Sequence, residues 1–195
     1  MGMSRLKGLL LASLVFVATG ANAGLSNVYE IKITLSDLAP TDRLQVSELV
    51  AFGTLTQTDL ALLSAGAQAS SSSNWINLPA NEAIDGIIGD PNNLYHSGVD
   101  DSNPFLSVFL NGEVELDYLT IFGRNGYKER DIYNVELFDS NKTSLFTAYD
   151  LSADNDLGRV TVDLSSVSAV PEPSTLALMA LGLAGIGFAA RRRQA

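Results

Sequence analysis

Residues 105–110 read FLSVFL and residues 116–122 read LDYLTIF, and in both segments apolar side chains occupy at least every second position. This period of two is typical of β-strands, because successive side chains of a strand point to opposite faces of the sheet. The same pattern predicts strands at residues 28–35, 44–52, 134–138, 144–149 and 160–164. Seven or eight short strands bounded by Asn, Asp, Gly or Ser predict an all-β fold, either a β-sandwich or a jelly roll.

The segments between these strands carry weaker signals. Residues 59–65 are the one stretch of the domain with a helical pattern, and Thr58 or Asp59 can cap it. Residues 66–74, which include four consecutive serines, predict a polar loop. The chain contains no cysteine, so disulfides, thiol catalysis and cysteine zinc sites are excluded.

The amino terminus predicts an export signal. Arg5 and Lys7 precede an apolar stretch at residues 8–17, and residues 21–23 read Ala-Asn-Ala, with small side chains at the two positions that signal peptidase reads. We therefore expect residues 1–23 to be a signal peptide that is removed after Ala23.

The carboxyl terminus predicts a membrane segment. An uncharged apolar run at residues 176–190 has no polar face, so a membrane is its natural solvent. At ~1.5 Å per residue the run spans roughly 22 Å, less than the ~30 Å hydrocarbon core, so Ser174 and Thr175 must extend it. We expect a linker at residues 166–173, a transmembrane sorting helix at residues 174–190 and a basic cytoplasmic tail at residues 191–195.

The motifs on both sides of this run resemble a known sorting signal. The resemblance is to the PEP-CTERM signal, and it is carried by Pro171, Glu172 and Pro173 before the run and Arg191, Arg192 and Arg193 after it. It implies processing by an exosortase, a membrane protease that cuts near the motif. It also implies transient membrane anchorage and delivery to the cell surface or to the exopolysaccharide matrix of a Gram-negative bacterium. A plain single-span anchor is the alternative.

The net charge limits the kinds of partner that the domain between the two signals can bind. The whole chain has a formal net charge of -10, and loss of both ends would remove five cations and leave about -15. Such a domain repels nucleic acid and anionic membrane surfaces, whereas calcium, neutral glycans and simple solubility are compatible with it. Residues 24–165 are long enough for one β-sandwich domain with a single core.

Several short motifs within residues 28–164 resemble the galactose-binding-like family, which includes discoidin domains and fucose-binding lectins. They are LLSAGAQASS at 62–71, AIDG at 83–86, HS at 96–97, NPFLSV at 103–108 and LTIFGR at 119–124. The resemblance implies a jelly-roll sandwich whose ligand-binding loops cluster at one end.

A candidate sugar site follows from the residues and from this resemblance. His96 is the only histidine, and an imidazole with the planar guanidinium groups of Arg124 and Arg130 can hydrogen-bond paired sugar hydroxyls. Tyr95 or Tyr127 could stack on a pyranose.

In fucose-binding lectins a histidine and two arginines around an Arg-x-Asp stretch hold the sugar, but residues 124–126 read Arg-Asn-Gly, which argues against fucose as the ligand. Salt bridging of the arginines to Glu129 or Asp131 is the alternative.

Calcium is a second candidate ligand. Asp85, Asp90, Asn92 and Ser97 lie within one loop-rich stretch, and calcium takes six to eight oxygen ligands, including backbone carbonyls. In related lectins an Asp-Gly turn holds structural calcium, which the resemblance carries over to Asp85. An Asx turn with Gly86 at positive φ is the alternative reading of the same residues.

Enzymatic motifs are few. There is no Gly-x-Ser-x-Gly elbow, and one histidine cannot complete a metal triad. The lone Trp75 is more typical of packing than of a binding platform. We therefore expect an exported, non-enzymatic carbohydrate-binding protein of the cell surface or matrix. The alternative is a structural surface protein without a ligand pocket.

Overall fold

The computed structural model describes residues 24–53 and 56–167. The predicted signal peptide, transmembrane sorting helix and basic tail lie outside the described residues, as does the Pro-Glu-Pro part of the predicted linker. Within the described residues, no helix is long and apolar enough to cross a membrane.

The described part of the chain contains ten strands and three short 3₁₀ helices. The helices are Leu63–Ala65, Ala80–Ile84 and Lys128–Arg130. The strands are β1 Leu25–Leu35, β2 Gln45–Val46, β3 Glu48–Phe52, β4 Gln68–Ser71, β5 Tyr95–His96, β6 Phe105–Leu116, β7 Tyr118–Phe122, β8 Ile132–Phe138, β9 Ser144–Ser152 and β10 Arg159–Asp163.

All strand pairs are antiparallel and fall into three sheets. The largest has the order β4-β6-β1-β8-β9, the second has the order β10-β7-β3, and β2 and β5 form a separate ribbon. At the centre of the large sheet, Ile31 pairs with Val108 on one side and with Leu137 on the other. In the second sheet, Ile121 of β7 pairs with Leu49 of β3.

One buried cluster joins the two larger sheets. Ile31, Val108 and Leu137 of the five-stranded sheet are buried in the same cluster as Leu49 and Ile121 of the three-stranded sheet. Each fully buried aliphatic side chain of this kind contributes about 1.5–3 kcal/mol to folding. The period of two in the sequence therefore marks the faces that meet in the core, and the all-β prediction is confirmed.

Three local predictions differ from the structure. The predicted strand at 44–52 is divided at Ser47, whose backbone N–H leaves the ribbon and donates to the Phe122 carbonyl at 2.8 Å. The predicted loop at 66–74 contains β4, an edge strand rich in serine. The helical pattern at 59–65 yields only the 3₁₀ helix, because Asp59 Oδ1 accepts from the N–H groups of both Ala51 and Ala61 and ties the segment to β3.

The bond from Ser47 to Phe122 also positions the candidate site. It places the end of the β2–β5 ribbon beside the end of β7, immediately before Arg124. A second long-range bond, from the Tyr133 hydroxyl to the Gln45 carbonyl at 2.8 Å, fixes the ribbon against β8. Residues distant in sequence are thereby brought to one end of the domain.

Candidate functional site

His96 lies on the ribbon and is almost completely buried. Its strand β5 pairs with β2, and its Nε2 lies 3.1 Å from the Gln45 side-chain nitrogen. An amide nitrogen only donates, so with this orientation of the Gln45 amide His96 Nε2 is the acceptor. The other ring nitrogen, Nδ1, then donates to the Ser97 carbonyl at 2.6 Å. Both ring nitrogens thus have partners within the domain.

The surroundings of His96 favour its neutral form. Burial lowers the pKa of His96, the Ser97 carbonyl opposes this, and the charges of Arg124 and Arg43 lower the pKa further. His96 is therefore a neutral hydrogen-bonding group at pH 7.

Trp75 covers one side of His96. The two ring centroids are 5.5 Å apart, and the Trp75 N–H of the backbone donates to the His96 carbonyl at 2.7 Å. The guanidinium carbon of Arg43 lies 5.5 Å from the centre of the Trp75 ring, within cation–π range. Trp75 remains 40% exposed, so it can contact a ligand as well as pack.

Arg124 and Arg130 meet at a second aromatic ring. The guanidinium carbon of each lies 4.8 Å from the centre of the Tyr127 ring, which is 40% exposed. Arg130 also forms an exposed ion pair with Glu129 at 3.7 Å. The Arg124 backbone N–H donates to the Asp131 carboxylate at 2.6 Å. Three of the four side chains predicted to bind a sugar thus lie beside half-exposed aromatic rings, His96 at Trp75 and both arginines at Tyr127.

Tyr95 is the exception. Its side chain is fully buried, and its hydroxyl lies 3.2 Å from the Ser73 carbonyl and 3.1 Å from the Phe105 carbonyl. Alternation along β5 explains this, because Tyr95 and His96 are neighbours and point to opposite faces of the strand. In this structure the Tyr95 ring is not available for stacking on a ligand, and Tyr127 is the tyrosine beside the two arginines.

The residues predicted to bind calcium have other contacts. Asp85 accepts from the Ile87 N–H and from the Asn93 side chain, at 2.8 and 2.9 Å, and Asp90 accepts from the Asn92 N–H at 2.8 Å. Ser97 is buried, and its hydroxyl accepts from the Leu44 N–H at 3.0 Å. Among the residues that the structure describes, no group of three or more His, Asp or Glu side chains could hold a metal. Calcium binding stays a prediction.

Sequence reasoning missed Gln45 and Arg43 and undervalued Trp75. Gln45 and His96 are 51 positions apart and meet only because β2 and β5 pair. A two-residue strand has no recognisable sequence pattern, so the positions of Gln45 and Arg43 beside His96 and Trp75 could not be predicted. Trp75 could have been found from its position, since it lies two residues after the serine run at 70–73.

Two cavities lie near this end of the fold. One of about 380 Å³ is lined by Arg124, Asn125 and Lys128, together with residues 88–89 and 156–158. The other, of about 920 Å³, is lined by segments of residues 32–42 and 99–105 and contains none of the predicted sugar ligands. Its aspartates include Asp101, whose carboxylate already accepts two serine hydroxyls at 2.5 Å. We place the candidate site at Arg124, where planar donors and exposed aromatic rings coincide.

Asp131, which accepts from the backbone of Arg124, and Glu48 are buried carboxyl groups. Burial raises the pKa of Asp131 to about 7, with the Arg124 N–H opposing the shift. Burial also raises the pKa of Glu48 to about 8; the Gly86 N–H opposes this, and the charges of Asp85 and Asp59 add to it. Glu48 Oε1 accepts from the Gly86 N–H at 3.1 Å, whereas its Oε2 has no hydrogen-bond partner among the described residues.

The carboxyl-terminal segment is similar to a known protein-sorting signal. Residues 169–193 match the PEP-CTERM protein-sorting motif. This match includes the Pro-Glu-Pro corner, the apolar run and the three arginines, and it implies export, a transient membrane anchor and processing by an exosortase. Neither a curated protein nor a solved structure matches the chain. The match begins after the last described residue, so it gives no information on the role of the β domain.

Proposed function

We propose that this exosortase-sorted protein is a non-enzymatic carbohydrate-binding protein of the cell surface or extracellular matrix. In this proposal residues 24–165 form a jelly-roll domain of the galactose-binding-like type. The supporting observation is two groups of planar side chains, Trp75 with His96 and Arg43, and Tyr127 with Arg124 and Arg130. Guanidinium groups can hydrogen-bond sugar hydroxyls, and half-exposed aromatic rings can stack on the apolar face of a pyranose.

The glycan site can be tested with single substitutions in the full-length protein. Arg124→Ala and Trp75→Ala should each weaken binding at least about tenfold, because each removes a planar group at the proposed site. Binding is measured on a glycan array and then by calorimetry with the best ligand. Arg159→Ala is the matched control, since Arg159 is exposed and contacts Phe122 by the same cation–π geometry, at 5.6 Å.

The two site variants must melt at temperatures close to that of the wild type. Equal affinity of the wild type, Arg124→Ala and Trp75→Ala would place sugar binding elsewhere on the molecule. The same array run with and without a chelator tests the calcium prediction. Loss of binding or of thermal stability on chelation supports a bound calcium ion, and unchanged values contradict it.

A structural surface protein without a ligand is the second candidate function. The observation that favours it is the full use of both His96 ring nitrogens by Gln45 and Ser97. Under this proposal the imidazole fixes the β2–β5 ribbon and the arginines only cover aromatic rings. Absence of binding to every glycan, with and without calcium, would favour this candidate over the first.

The predicted signal peptide and the sorting motif together predict the ends of the mature chain. We expect mass spectrometry of the protein from its natural host to find an amino terminus at Gly24 and a carboxyl terminus near Pro171–Pro173. Deleting Arg191, Arg192 and Arg193 should leave the carboxyl end uncut, because the basic cluster is part of the motif. An intact chain with both ends present in the exported fraction would contradict processing.

A further inference from the structure

We propose that the ligand of the candidate site is an acidic glycan, one whose sugars carry carboxylates as uronates do, rather than a neutral one. This inference rests on the proposed carbohydrate-binding function and specifies its ligand class. It follows from the distribution of positive charge in a domain that is otherwise strongly acidic.

The arginines of the domain are concentrated at this site. Residues 24–167 contain four arginines, and three of them, Arg43, Arg124 and Arg130, contact Trp75 or Tyr127. Contacts run from Arg43 through Trp75 to His96 and, separately, from Arg124 through Tyr127 to Arg130. The hydrogen bond from the Ser47 N–H to the Phe122 carbonyl holds the ribbon that carries His96 against the end of β7 that leads into Arg124.

The positive charge of this cluster is weakly compensated. Among the described residues, Arg43 and Arg130 each form an ion pair only with the acid beside them in sequence, Asp42 and Glu129, at 3.7 Å and in exposed positions. Such exposed pairs contribute ~0–1 kcal/mol and do not neutralise a site. Asp42 is 78% exposed in its side chain, so it can turn to solvent without loss of packing.

Arg124 is the least compensated of the three. Within residues 24–53 and 56–167 it forms no salt bridge, and its Nε is buried without a hydrogen-bond partner. The nearby Asp131 accepts from the backbone of Arg124 rather than from its guanidinium group. A buried guanidinium nitrogen without an acceptor is costly, and the charge of Arg124 has no counter-ion among the described residues.

A carboxylate matches this arrangement better than a hydroxyl. Its two oxygens accept two parallel N–H groups from one guanidinium, and this charge-assisted pair is about twice as strong as a neutral hydrogen bond. The exposed faces of Trp75 and Tyr127 provide stacking surfaces for the ring that carries the carboxylate. A simple polyanion would be repelled by the rest of the acidic domain, so the site must recognise sugar and charge together.

The test compares acidic polymers with neutral forms of the same polymers. Polygalacturonate, alginate and polyglucuronate are each titrated into the full-length protein, alongside samples whose carboxyl groups have been reduced to alcohols. We expect at least one acidic polymer to bind at least about tenfold more tightly than its reduced form. Arg124→Gln and Arg130→Gln should each bring this ratio close to one, whereas Arg159→Gln should leave it unchanged.

The outcomes separate the inference from the function on which it rests. Equal binding of acidic and reduced polymers overturns the acidic preference and leaves carbohydrate binding in place. No binding to any of the six polymers overturns the acidic preference, and absence of binding on the glycan array as well overturns the proposed function. If Arg159→Gln lowers the ratio as much as the site variants do, the preference is a general charge effect and the proposed site is wrong. Arg130 is exposed, so its variant tests the inference even if Arg124→Gln unfolds the domain.

Discussion

The domain should unfold at a temperature on the order of 10 °C lower at about pH 9 than at about pH 5.5, measured by circular dichroism in buffers of equal ionic strength. The main cause is Glu48, which is fully buried and whose pKa is raised to about 8. Asp131 adds to the effect, because burial raises its pKa to about 7. Both groups must lose a buried proton as the pH rises.

The sign follows from proton binding in the two states. A carboxyl group whose pKa is higher in the folded state than in the unfolded state contributes stability below its unfolded pKa. That stability is lost as the pH rises through the folded pKa, here between about 4.5 and 8 for Glu48. One pKa unit is worth about 1.4 kcal/mol, so the two groups together change the free energy of unfolding by a few kcal/mol over this window.

Two other groups have the opposite effect and make the domain less stable as the pH falls. Burial lowers the pKa of His96, so protonation of its imidazole reduces stability as the pH falls below about 6.5. Hydrogen bonds from the Ser72 and Ser73 hydroxyls lower the pKa of Asp101. Protonation of Asp101 therefore destabilises the fold only in stronger acid. Stability should pass through a maximum in mildly acidic solution.

Glu48→Gln tests the assignment of the pH effect. The amide oxygen can still accept from the Gly86 N–H, while the variant cannot ionise. We expect it to remove more than half of the difference between the two pH values and to melt above the wild type at about pH 9. Asp154→Asn, at an exposed position, is the control for loss of one negative charge. Parallel pH curves for the wild type and Glu48→Gln would refute the role of Glu48.

The central strands of the fold could be predicted from sequence because both sheets bury one face. Alternation in β1, β6 and β7 marks residues such as Ile31, Val108 and Ile121, which the structure places in one core. Edge and ribbon strands carry no such signal. β4 alternates between exposed and half-buried serine-rich positions, and β5 has two residues, so neither shows a hydrophobic period.

The candidate site was predictable in part for a related reason. His96, Arg124 and Arg130 stand out by residue type and by resemblance, and the structure places both arginines at the Tyr127 ring and His96 at the Trp75 ring. Whether a side chain in a two-residue strand faces ligand or core depends on register, which the sequence does not reveal. Tyr95 and His96 are adjacent, and pairing with β2 decided which of them lies beside Trp75.

Gly123→Ala should destabilise the domain by roughly 2–4 kcal/mol, measured by denaturant unfolding, because it introduces a side chain where there is no room. A Cβ atom at this position would lie 2.2 Å from Asp131 Oδ2 and 2.8 Å from its Cγ. Asp131 cannot move away freely, since it is buried and accepts from the Arg124 N–H at 2.6 Å. Glycan binding should weaken as well, because the displaced carboxyl group holds the backbone of Arg124.

A matched glycine and a double variant identify the cause of this loss. Gly126 has a φ of +83° but no atom within 4 Å of its Cβ position, so Gly126→Asn should cost less than about 1 kcal/mol. In a double-variant cycle, Asp131→Ala should cost less beside Gly123→Ala than in the wild type, since the two side chains compete for one space. Additive costs would show that the glycine is required by its backbone and not by contact with Asp131. A lower cost of Asp131→Ala beside Gly123→Ala would establish that the buried carboxyl group of Asp131 and the absence of a side chain at Gly123 together position Arg124.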